Sequence, residues 1–371
     1  MLRSIKQDHA NTRRIRVGVI GSGSFAVEGH LANLRDNSQA EVVAICGRNH
    51  DRTHAVANQF DIPAIYTDYR ELCVQSDIEA VTIVTPNAFH ADQAITALRN
   101  GRHVLCEKPL AKTLGEAQAM LETALASGKV HHVNFPYRHL YGVQELRRRV
   151  QAGDIGDPYL LRVQYDGWKG LHPEWRIGWR ESQAMAGGGE LYDHGSHLFD
   201  IARFLFGRID QVTGFVHRIP RKQPDVSSLL KDVETDDIAA AWFRHESGLR
   251  GQWFVSRATP RTGENGWLEV SGTKGALRAS LSRGTIDRLQ ACRPNETSWE
   301  SVPLPAAADD GLPHCLTASM CSFIDACIKG YSNPDIDATF ADGVAAQQGL
   351  DAVQRADDQF IWVRLPDVSK T

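Results

Sequence analysis

"VGVIGSGSFA", residues 17–26, places Gly21, Gly23 and Ala26 in the spacing G-x-G-x-x-A directly after an apolar run. The first glycine suits a tight turn, the second lets backbone approach a pyrophosphate, and the small third residue permits close helix–strand packing. The phosphates would then rest on a helix N-terminus, where orphan N–H groups and the helix dipole favour negative charge. In a strand–turn–helix context the motif predicts a dinucleotide site, with Ser24 and Phe25 inside the loop.

The flanking sequence supplies that context. "IRVGVI" (15–20), "EVVAIC" (41–46), "AVTIVT" (80–85), "HVLCE" (103–107) and "VHHVNF" (130–135) read as buried parallel strands. Amphipathic stretches separate them, such as "DRTHAVANQF" and "ADQAITALRNG", the latter closed by Gly101. This alternation predicts an α/β fold with a doubly wound parallel sheet over residues 14–137. Residues 1–13 are expected to be a frayed arm; the Arg13–Arg14 pair is followed by no apolar signal core.

Beyond residue 137 the pattern changes. The helix "YGVQELRRRVQAG" leads through "DIGDP" into strand-like segments, among them "YLLRVQYDGW", "QVTGFVHRI", "DIAAAWFRH", "LRGQWFVSR", "WLEVSGTKGALRASL" and "TIDRLQACR". They predict one large, mostly antiparallel sheet in a second domain, residues 138–371. A long helix, "DATFADGVAAQQGLDAVQRADDQ", and a last strand, "FIWVRLP", close the chain. "RKQPDVSSLLKDVET" and "PLPAAADDGLP" are expected to be flexible.

Bulk properties exclude several functions. A net charge of −4 gives no reason to expect a nucleic-acid or anionic-membrane partner. No window approaches the roughly 20 apolar residues needed to span a membrane. Seven cysteines without a C-x-x-C pair predict free thiols and a cytoplasmic protein.

In a doubly wound sheet, ligands bind at the carboxyl ends of the strands. "TPNAFH" (Thr85, Pro86, Asn87, His90) and "CEKP" (Glu107, Lys108) stand at two such ends. At the end of the second strand, "CGRN" lacks the acidic residue that commonly bonds a ribose 2′-hydroxyl. Gly47 leaves room there and Arg48 offers a donor fork, so NADP is favoured, with NAD the other option.

"GGGELYDHGSHLFD" (187–200) gathers Asp193, His194, His197 and Asp200 behind a glycine triplet. Asp193 and His197 share a face if the segment is helical, which suits an acid–base pair. A metal is the rival reading, through His194, His197, Asp193 and Asp200; no second ligand cluster accompanies them, and none is expected. The triplet is expected to let backbone approach cofactor or substrate. "DGWKGLHPEWRIGWR" (166–180) carries Trp168, Trp175, Arg176 and Arg180. Flat rings suit sugar C–H faces and guanidinium groups suit anions; an interdomain packing patch is the alternative.

With G-x-G-x-x-A, "TPNAFH", "EKP", the "NFPYR" strand end and D-x-G-x-H in this order, the chain resembles the Gfo/Idh/MocA oxidoreductases, which include glucose–fructose oxidoreductase and inositol dehydrogenases. The resemblance covers all but residues 1–13. It implies a Rossmann domain, then an α/β domain whose open sheet forms a homodimer or homotetramer. It implies that Lys108 binds the substrate hydroxyl, that Asp193 and His197 complete the site, and that Tyr137 and Arg138 of "NFPYR" lie beside the substrate. The implied activity moves a hydride between nicotinamide and a carbinol or carbonyl carbon of a sugar, sugar acid, cyclitol or polyol. Two other activities share the fold: a redox-assisted glycosidase and a non-catalytic sensor. Retention of Lys108, Asp193 and His197 argues against the sensor, and His194 stands where the family often has an apolar residue.

Overall fold

The computed structural model describes residues 13–172, 174–259, 266–281, 288–304 and 311–368. The expected arm at 1–13 lies outside them apart from Arg13, as does most of "PLPAAADDGLP".

Six parallel strands form the first sheet: β1 (Ile15–Ile20), β2 (Ala40–Cys46), β3 (Ala64–Tyr66), β4 (Ala80–Ile83), β5 (His103–Cys106) and β6 (His131–Val133), in the order β3-β2-β1-β4-β5-β6. All four residues of β4 are buried, as expected of a parallel strand covered on both faces. Successive β1 side chains enter different cores: Val17 and Val19 pack with Leu31, Leu34 and Val56, whereas Ile20 packs with Ala94, Leu98 and Met120. The chain order reverses between β1 and β4, so the switch-point crevice opens beside Gly21 and Val84. Asn49 caps the helix His50–Gln59, and a Thr113–Glu116 capping box starts Leu114–Ser127, which ends on Gly128 in the left-handed region. The three-residue strand β3 was not foreseen; it is too short to show a period.

The second sheet has nine strands: β7 (Pro158–Asp166), β8 (Ile209–His217), β11 (Ile238–His245), β12 (Arg250–Ser256), β13 (Gly266–Gly272), β14 (Gly275–Ser280), β15 (Leu289–Cys292), β16 (Glu300–Val302) and β17 (Val363–Arg364). Their order is β16-β15-β14-β13-β7-β12-β11-β8-β17, antiparallel except for the β7–β12 pair. Strand β7 alternates buried and half-exposed residues, the signature of a sheet with one covered face. Helices Ser196–Phe206 and Phe340–Gln359 cover that face, with Phe199 edge-on to Trp253 at 5.2 Å.

Two findings correct the sequence reading. Helix Gly311–Lys329 was not anticipated, and its Met320, Phe323 and Ile324 pack into the core under β1 and β2. The chain therefore returns to the first sheet after building the second. "RKQPDVSSLLKDVET" forms a hairpin of β9 (Lys222–Pro224) and β10 (Leu230–Asp232), not a flexible link.

Candidate active site

A cleft of about 910 Å³ opens at the carboxyl ends of the first sheet and is walled on its far side by residues of the second domain. Gly21 has φ +129°, and a Cβ there would meet the Val84 carbonyl oxygen at 2.6 Å, so only glycine serves. At Gly23 a Cβ would meet nothing within 4 Å, which leaves the backbone open to a ligand. Ala26 is fully buried where its helix meets the sheet. The loop thus offers the cradle that a pyrophosphate requires, and Ser24 and Phe25 line it.

Arg48 lies over the Phe89 ring at 4.7 Å, and Arg52 joins it at the same end of the cleft. Both are exposed, and neither pairs with a carboxylate among the described residues. Gly47 has a different role from the one expected. A Cβ there would sit 2.3 Å from Thr53 Oγ1 and 2.5 Å from Ser22 Oγ, so protein packing demands the glycine.

Thr85, Pro86 and Asn87 line the cleft. Thr85 donates to Gln93 Oε1 at 2.7 Å, and Asn87 Nδ2 donates to the Ala186 carbonyl at 2.8 Å across the domain boundary. His90 is fully buried behind them and its ring bonds the Pro109 and Thr85 carbonyls at 3.0 and 2.9 Å. It braces two strand ends instead of lining the cleft, and burial holds its pKa below the usual value.

Glu107 is 7% exposed. Burial pushes its carboxyl up, yet donors on His30 (2.9 Å) and Asn134 (2.6 Å) overcome this and hold it below the usual range. His30 had no sequence signal beyond its place on the helix after the glycine loop.

Lys108 Nζ donates to the Asp193 carbonyl at 2.8 Å and to its carboxylate Oδ1. Arg180 Nε approaches the other Asp193 oxygen at 4.0 Å. Both members of the Lys108–Asp193 pair line the same cleft as the glycine loop. Asp193 lies in a π-helical turn, Leu191–Gly195, that leads into Ser196–Phe206. The start of this turn is anchored by Asp236, whose oxygens accept from Gly189 N at 2.6 Å and Leu191 N at 2.8 Å. Packing within the protein already demands two glycines of the triplet: a Cβ on Gly189 would sit 1.9 Å from the Asp236 carbonyl, and one on Gly188 would strike the Tyr192 ring at 2.3 Å.

Five other expected residues stand apart from the cleft wall. Arg138, 3% exposed, binds Asp200 at 2.6–3.2 Å and Asp342 at 3.1 Å, so its charge joins helices and is not offered to substrate. Tyr137 is buried and stacks on His197 at 4.5 Å; His197 is itself 3% exposed, one turn beyond Asp193. Trp168 is 43% exposed outside the cleft, and Arg176 donates to the Asp225 carbonyl and Ser228 Oγ, tying down the β9–β10 hairpin. Trp175 and Arg180 do line the cleft; Lys169 Nζ sits 3.9 Å over the Trp175 ring, whose Nε1 donates to Glu181.

Asp200 is held by Arg138, so the tetrad proposed for a metal does not assemble. Glu190, Asp193 and His194 bring one ligand-type atom each within 4.8 Å of one another. The Lys108 ammonium already occupies the cationic position beside Asp193, which favours an ion pair there over a metal.

Comparison with known proteins agrees with this architecture. Residues 15–135 match the family described as "Oxidoreductase family, NAD-binding Rossmann fold", and residues 143–278 match the GFO/IDH/MocA C-terminal domain. The chain is 31% identical to the 1,5-anhydro-D-fructose reductase of Ensifer adhaerens over 92% of its own length and 96% of that protein. It is 27% identical to the levoglucosan dehydrogenase of Pseudarthrobacter phenanthrenivorans, over 88% of this chain and 90% of that protein. A solved levoglucosan dehydrogenase structure, in complex with NADH and L-sorbose, superposes with a TM-score of 0.87 at 25% identity, over 96% of this chain and 100% of that one.

Proposed function

Because this chain belongs to the Gfo/Idh/MocA oxidoreductase family, we propose that it interconverts a carbinol and a carbonyl carbon on a sugar or related polyol, with a nicotinamide dinucleotide as redox partner. The observation that carries this reading is the Lys108–Asp193 ion pair, which lines one cleft with the Gly21–Ala26 loop.

When bound, the nicotinamide supplies the hydride acceptor or donor. The protein's residues do the rest. The open backbone at Gly23 and the helix that follows would hold the pyrophosphate. Arg48 and Arg52 stand ready for a 2′-phosphate, which supports NADP as the preferred form of the cofactor. Lys108 stabilises negative charge on the reacting oxygen, and Asp193 fixes the ammonium. His197, stacked on Tyr137 one helical turn beyond Asp193, has the proton-transfer role, reached from the cleft by relay because its ring does not line the wall: acceptor in oxidation, donor in reduction. Trp175 and Arg180 line the substrate end. A homo-oligomer through the open face of the second sheet completes the proposal, and the protein is expected to work in the cytoplasm.

The test is turnover of a panel comprising levoglucosan, D-glucose, D-apiose, 1,5-anhydro-D-fructose, myo-inositol and D-gluconate, with NADP(H) and NAD(H), followed by nicotinamide absorbance. Oxidation or reduction of at least one compound is the expected result; no turnover of any with either cofactor would refute the reading.

A further inference from the structure

The segment carrying Asp193 holds a second acid–imidazole pair that the proposed chemistry leaves unused. Glu190 and His194 are one helical turn apart, and His194 Nδ1 lies 2.6 Å from Glu190 Oε2. A carboxylate accepts, so Nδ1 carries a hydrogen, and in the neutral tautomer this leaves the lone pair on Nε2. That nitrogen is buried and has no hydrogen-bond partner among the described residues. The ring stacks on Tyr165 at 4.1 Å and 22°, which fixes its plane, and both rings line the cleft beside Asp193.

We propose that His194, oriented by Glu190 and braced by Tyr165, is a substrate-contacting residue that accepts a hydrogen bond from the sugar hydroxyl adjacent to the reacting carbon. This rests on the reading of the cleft as a sugar site. One ring nitrogen of His194 and one carboxylate oxygen of Asp193 lie within 4.8 Å, a separation that two neighbouring hydroxyls of one ring can bridge. Lys108, held by Asp193, takes the reacting oxygen, and His194 reads the next one. The charged groups around the imidazole are Glu190 on its own turn, Asp193 with Lys108, Arg180 near Asp193, and Arg257, whose charge is coupled to Glu190. Glu190 is a positioning residue, acting through the tautomer it imposes.

Levoglucosan, D-glucose and myo-inositol, each with its mono-deoxy analogues, serve as probes for the full-length holoenzyme. The parent enzyme should prefer the hydroxylated compound to the analogue lacking the neighbouring hydroxyl. In His194→Leu this preference should shrink by about tenfold through KM, with cofactor Kd unchanged, as for loss of one hydrogen bond. Glu190→Gln should give the same shift, smaller in size, because an amide can still accept from Nδ1. An undiminished preference in a folded His194→Leu overturns the proposal, as does a parallel loss of cofactor binding. If the parent turns over none of the probes, the sugar reading itself has failed, and the imidazole is judged by ¹⁵N NMR of the free protein. A hydrogen on Nδ1 in the parent that is lost in Glu190→Leu, which has no acceptor to hold it, supports the oriented dyad; a hydrogen on Nε2 in the parent refutes it.

Discussion

Lys108 is held from two directions, by its strand end and by Asp193, so its charge is placed before any ligand arrives. Lys108→Met keeps the stem and removes the charge. Turnover should fall by at least ~100-fold, the cost of one preorganised electrostatic group, while cofactor Kd stays within a factor of about two. His197→Ala should lower kcat by roughly 100- to 10,000-fold and flatten the acidic limb of the oxidation profile, since a protonated imidazole cannot accept. A profile that keeps its limb would move proton transfer elsewhere. Arg48→Ala should weaken NADP(H) about tenfold by fluorescence titration and leave NAD(H) unchanged. Gly47 is a poor probe of the same question because any side chain collides with Thr53 and Ser22. At this scale the sequence was legible where a backbone conformation forces residue type, as at Gly21. It misled where long side chains choose among partners: nothing local tells Arg138 to bind Asp200, or Arg176 to bind the hairpin.

The turn from Gly189 to Gly195 delivers Asp193 and His194 to the cleft, and Asp236 anchors it by two short backbone bonds. Asp236→Ala should leave Gly189 and Leu191 N–H groups buried without acceptors, costing about 1–3 kcal/mol each at most. The expected result is lower thermal stability together with reduced kcat, whereas cofactor affinity should hold because the phosphate loop lies on another element. Equal stability and activity in this variant would remove the anchoring role. Spacing alone singled out the glycine triplet, but what crowds Gly189 is the loop before β11, brought there only in the folded chain. Helix Gly311–Lys329 escaped notice for a similar cause: it follows a Pro- and Ala-rich segment, and its apolar residues serve the first sheet.

Across the whole molecule, the second sheet leaves one face open. Val212 of β8 points into the core, so Thr213, paired with Trp242 of β11, points to the other face. Trp362 precedes Val363, the partner of Val212, and is therefore in line with them. Trp242 and Trp362 are 45% and 50% exposed, an apolar surface suited to a second copy. On the proposed homo-oligomer, Trp242→Lys should lower the sedimentation coefficient toward a monomer; an unchanged value would count against assembly through this face. Acid should unfold the protein through buried imidazoles. Burial lowers His245 and His103 to about 4 from an ordinary 6.5. A depressed folded pKa means the unfolded chain binds the proton first, so stability is full above about 6.5 and falls as pH drops toward 4. His245→Gln should make that slope shallower in pH-dependent thermal melts.

This cleft is proposed to move hydride between a sugar carbon and a nicotinamide under the charge of Lys108. Deuterium placed on the carbinol carbons of whichever panel sugar reacts tests it most directly. The label should appear at C4 of the nicotinamide, and Lys108→Met should slow its appearance at least ~100-fold with cofactor still bound. Consumption of the sugar while the nicotinamide stays unlabelled would contradict it.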